Sequence, residues 1–118
     1  MAVVVVLATL SSFASAASGS SFTLAATARC LKSKPTVTRT FAFKDALHVT
    51  LRDRPGPSLS FYTSSAAATA ALRRSTALSK SLGVKLPYSV AHVDKNVFVS
   101  WETLPSAADA RIVEDCLR

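Results

Sequence analysis

The sequence predicts an α+β sandwich: a mainly antiparallel sheet of about five strands with helices on one face, in the order α-β-β-β-α-β-β-α. Three observations lead there. Apolar residues alternate with polar ones through most strand-like stretches, as in sheets buried on one side. The three stretches of helical periodicity carry capping signals. The 118 residues include only three Gly and five Pro, with 49% hydrophobic and 18% charged residues, a composition that folds.

The chain opens with an apolar run, Val3 to Leu10, broken only by Thr9, followed by residues no larger than Ala or Ser, Phe13 excepted, from Ser11 to Ser18. This is the layout of a signal peptide with an Ala14-Ser15-Ala16 cleavage site, and polarity returns too soon for a membrane-spanning helix. No Lys or Arg precedes the run, a departure from the usual pattern that a misplaced start codon would explain. The alternative is a buried valine-rich strand. Residues 1–16 are read as a cleaved leader and 17–118 as one small domain, large enough to bury roughly two-thirds of its unfolded surface.

Export places the two cysteines, Cys30 and Cys116, in an oxidising compartment, where they have one intramolecular pairing available. Each precedes a leucine in an apolar helical stripe, so both sulfurs are expected to face inward. The absence of a C-x-x-C spacing argues against a redox role.

Within the mature region, Ser20 or Ser21 caps a helix over Phe22 to Leu31, with Ala26 and Cys30 on one face and Leu24, Thr27 and Leu31 beside it. Pro35 ends that element. Thr36 to Phe43 alternates, with Val37, Phe41 and Phe43 on the apolar side, and Leu47, Val49 and Leu51 form the buried side of a second strand. Asp53 to Pro57, containing Pro55-Gly56-Pro57, reads as the turn into a strand through Leu59 and Phe61. Ser64 or Ser65 caps the longest helix, Ala66 to Leu82, with Ala68, Leu72, Ser75, Leu78 and Leu82 as its stripe and Gly83 as terminator. Tyr88 to Val93 and Asn96 to Trp101 make a hairpin about the polar Asp94-Lys95-Asn96. Ser106 and Asp109 form a capping box ahead of a final helix bearing Ile112, Val113, Cys116 and Leu117.

No catalytic constellation stands out. His92 and Asp94, two apart on a strand, share a face and are the one pair that could serve a small secreted hydrolase, although exposed hairpin polarity explains them more simply. His48 falls on the outward phase of its strand. Cysteines and histidines are too scattered for a zinc site, and the isolated glycines make no phosphate loop, so no metal or cofactor is expected.

Charge is the remaining signal. Residues 17–93 carry net +9 and residues 94–118 net −2, for +7 over the chain. Arg52, Arg54, Arg73, Arg74 and Lys80 are the candidate contacts for an anionic polymer or membrane surface. Nucleic acid is not the expected partner, because no aromatic residues visibly interleave with the cations. The expected function is that of a non-catalytic exported module of the cell envelope or extracellular space, with a hydrolase or an inhibitor-like factor as alternatives.

Overall fold

The computed structural model describes residues 21–83 and 90–118; the predicted leader, the predicted Ser20 cap and Tyr88 lie outside them. Three helices and five strands follow in the predicted order: α1 Leu24–Lys32, β1 Val37–Phe43, β2 Ala46–Leu51, β3 Arg54–Phe61, α2 Ser65–Ser81, β4 Val90–Asp94, β5 Val97–Trp101 and α3 Ala107–Asp115. They build an open five-stranded antiparallel sheet, order β1-β2-β3-β5-β4. The fold is α+β.

One face of the sheet carries the core. Leu47, Val49 and Leu51 of β2, Leu59 of β3, and Val97, Val99 and Trp101 of β5 meet Leu31 of α1, Val113 of α3, and Cys116 and Leu117 just after it. α1 packs on β1 and β2, and α2 on β4 and β5. Cys30 and Cys116 are joined as a disulfide across 86 residues of chain, Cα atoms 5.6 Å apart, tying α1 to the C-cap of α3.

Helix starts follow the predicted chemistry, with one shift. Ser64 accepts from the Ala67 amide and Ser106 from the Asp109 amide, while α1 is capped by Thr23, whose hydroxyl accepts from the Ala26 amide. α1 therefore starts later than its apolar pattern implied, and it buries Thr27 and Leu31 while Ala26 is exposed. The capping box of α3 is only half made, because the Asp109 carboxylate turns away to pair with Arg52. α2 keeps its predicted stripe only in its first half. Ala68 and Ala71 are buried, but Leu78 and Leu82 stand 60% and 64% exposed. A helix of 17 residues spans about 25 Å and a strand of five about 17 Å, so α2 is longer than the described strands it packs on.

Two further differences concern the strands. The β2–β3 connection is Arg52-Asp53 alone, both in the left-handed region (φ 51° and 60°), and Pro55 to Pro57 belongs to β3. Prolines are tolerated there because register slips between the His48–Ser58 and Thr50–Pro55 pairs, a bulge where ladder donors are dispensable. Gly56 is required by the same irregularity: a Cβ on it would stand 2.6 Å from the Val49 carbonyl oxygen.

The second difference reverses the facing of β1. Val37 pairs with Leu51 but Arg39 pairs with Thr50, so Thr38 is an extra, bulged residue. Its hydroxyl holds the bulge in place, accepting from the Asp53 amide at 3.1 Å and donating to the Thr50 carbonyl at 3.3 Å. Beyond it Thr40 and Ala42 share the core face with Val49 and Leu47, while Phe41 and Phe43 lie on the opposite face with His48 and Ala46. Both rings are 58% exposed, not half-buried with Val37 as alternation predicts.

Candidate functional site

The predicted cations fall in two separate places. Arg52, in the β2–β3 turn, and Arg54, just after it, line a cavity of about 570 Å³ with Trp101, Glu102, Ser106 and Asp109. Arg52 is held by Asp109, and Glu102 sits in the same lining, so two carboxylates offset the two guanidiniums. Arg54 makes no ion pair among the described residues. Arg73, Arg74 and Lys80 are exposed on α2, and none of them lines that cavity.

A third group of cations gathers at the β1 end of the sheet. From Arg29 to Lys44 the chain carries five basic residues and no acid; the next residue, Asp45, occupies the hairpin turn. Lys32, from the end of α1, and Arg39 line one depression of about 340 Å³. The Lys44 ammonium lies 5.5 Å from the centroid of the Phe43 ring. Next to Phe43 on the same face, Phe41 stacks on His48 with centroids 6.2 Å apart and planes 29° from parallel. His48 in turn has Nδ1 2.9 Å from the Ser58 hydroxyl. Arg39 and the two aromatic rings thus follow one another on the open sheet face, with Lys44 over the Phe43 ring and Lys32 reaching the β1 edge from the helix side, an arrangement hidden in the sequence because it depends on the Thr38 bulge.

The hydrolase candidates are placed as the strand period requires, without further support. His92 and Asp94 share a face of β4, opposite Val99 and Val97, but no hydrogen bond or ion pair joins them. Neither lines the cavities described above. The histidine that does meet a hydroxyl is His48, and its pairing with Ser58 is a cross-strand contact between adjacent strands. Among the described residues, no cluster of three or more Cys, His, Asp or Glu could hold a metal ion. No described helix is long and apolar enough to cross a membrane.

Asn96, in sequence a polar residue of the hairpin turn, has a bonding role that the sequence does not show. It is 3% exposed in the β4–β5 turn. Its Oδ1 accepts from the Phe22 amide at 2.7 Å, and its Nδ2 donates to the carbonyls of Phe22 at 2.9 Å and Tyr62 at 3.0 Å. The Tyr62 amide completes the set, donating to the Asn96 carbonyl at 2.9 Å. Lys95 then covers the Phe22 ring, its Nζ 5.0 Å from the centroid. A single Asn in the chain, at a hairpin tip, was the available signal. Comparison with known protein families, curated proteins and solved structures finds no match to the chain.

Proposed function

We propose that this chain is an exported, non-catalytic binding module of the cell envelope or extracellular space, directed to anionic partners by its basic surface. The observation that carries the reading is the Cys30–Cys116 bond, which joins the first helix to the last. Such bonds persist in oxidising compartments, and the apolar leader followed by Ala14-Ser15-Ala16 supplies a route to one. Net charge of +7 draws polyanions, and the acid-free stretch from Arg29 to Lys44 concentrates that attraction at one end of the sheet.

Two measurements test this reading. Intact mass of the secreted protein, with and without reductant, is expected to show a chain starting at Ala17 with its two sulfurs joined; full-length intracellular material with both thiols alkylatable overturns export. Binding to heparin is expected at low salt and to fade as ionic strength rises past about 0.1 M, where the screening length falls to about 10 Å. Absence of binding even at low salt removes the anionic partner.

A further inference from the structure

We infer that the open face of β1 and β2 is a stacking platform for single-stranded nucleic acid, built from Phe41 and Phe43 with Lys32, Arg39 and Lys44 beside them. The inference rests on the anionic-partner reading and names both the partner and the surface. Its starting point is that two neighbouring rings are 58% exposed in a domain that buries Leu47, Leu59, Val97 and Val99 almost completely. They are held out by a bulge that Thr38 ties to Thr50 and Asp53, so the exposure is built into the strand.

Proteins that hold single strands without reading sequence combine aromatic side chains, on which bases stack, with a cationic track for the phosphates. Both parts are present here. Phe41 and Phe43 are two residues apart on one face, a separation of roughly 6.8 Å along a strand, which leaves a base for each ring. Lys44 stands over one ring at the hairpin end of β1, and Arg39 lies on the same face toward the other end, where Lys32 shares its depression from the β1 edge. The phosphates run on this side because the depression beside His48 and Ser58 is also lined by Asp53 and Glu102, whose carboxylates repel them. A duplex cannot use the platform, since its base faces are already stacked on one another. A lipid surface fits less well: Phe41 stacks on His48, which meets the Ser58 hydroxyl, and pushing those polar groups into hydrocarbon is costly.

The test uses the oxidised mature chain and labelled oligothymidylate, followed by anisotropy, against a duplex of equal length, heparin and phosphatidylglycerol vesicles. The double variant Phe41→Ser/Phe43→Ser changes exposed positions, and an unaltered melting temperature with the disulfide intact verifies its fold. Expected are preference for the single strand over the duplex, weakening of about tenfold per ring in the variant, and unchanged heparin binding. Equal binding of single strand and heparin, indifferent to the phenylalanines, overturns the platform and leaves the general anionic reading standing. Failure of every polyanion overturns both. Vesicle binding that depends on the two rings, with no oligonucleotide bound, assigns the face to lipid and overturns the inference.

Discussion

At the scale of single residues, Asn96 and Gly56 carry structural weight out of proportion to their size. Asn96 satisfies the amide and carbonyl of Phe22 and the carbonyl of Tyr62 from a position sealed from water. Removing a buried amide strands its partners, and each unsatisfied group costs more than a net hydrogen bond returns. Asn96→Ala is expected to lose about 2 to 3 kcal/mol in urea denaturation. Asn96→Asp is expected to be no better, because a carboxylate cannot donate to the two carbonyls. Gly56→Ala forces a methyl against the Val49 carbonyl, and a loss of about 1 to 3 kcal/mol by the same measurement is expected as β3 shifts to relieve it. By contrast Arg52→Ala removes an ion pair from a side chain that is 47% exposed, so less than about 1 kcal/mol is expected.

At the scale of elements, legibility in the sequence followed how local the determining physics is. The start of α2 at Ser64 and its end before Gly83, φ 65°, come from capping chemistry written in adjacent residues, and they fell where the sequence placed them. The facing of β1 depends instead on one unpaired residue, Thr38, whose stabilising contacts come from Thr50 and Asp53, more than ten positions away. Nothing local distinguishes Thr38 from its neighbours Thr36 and Thr40, so alternation was carried straight through and placed Phe41 and Phe43 on the wrong side. The platform was illegible for that reason, although its cations were visible. The β2–β3 turn misled for a related reason: Pro-Gly-Pro outweighed Arg52-Asp53, which adopt a left-handed pair without glycine or asparagine. That strain gives an element-scale prediction. Asp53→Gly keeps the amide that binds Thr38 while relieving a left-handed conformation, and it is expected to raise stability by about 0.5 to 1 kcal/mol, seen as a higher denaturation midpoint.

At the scale of the whole molecule, the covalent tie between α1 and α3 dominates. In the chain-entropy account, closing a loop of 86 residues stabilises the folded state by about 4 to 5 kcal/mol, comparable to the total stability of a small domain. Cys30→Ala/Cys116→Ala is therefore expected to be largely unfolded at physiological temperature by circular dichroism, and reductant is expected to act on the parent chain alone. The pairing itself was readable from the presence of two cysteines, each in an apolar helical stripe.

The strand order has one more consequence. β1, β2 and β3 form a meander through tight turns, and β4 and β5 form a separate hairpin, so the two blocks meet along a single seam, β3 against β5. Every other ladder is closed by its own two-residue turn, whereas this one waits on the chain that includes α2. Asn96 latches one end of that seam through Tyr62. Loosening the latch is expected to uncover the β3 edge, so the junction that completes the core also keeps a row of backbone donors and acceptors from standing unpaired.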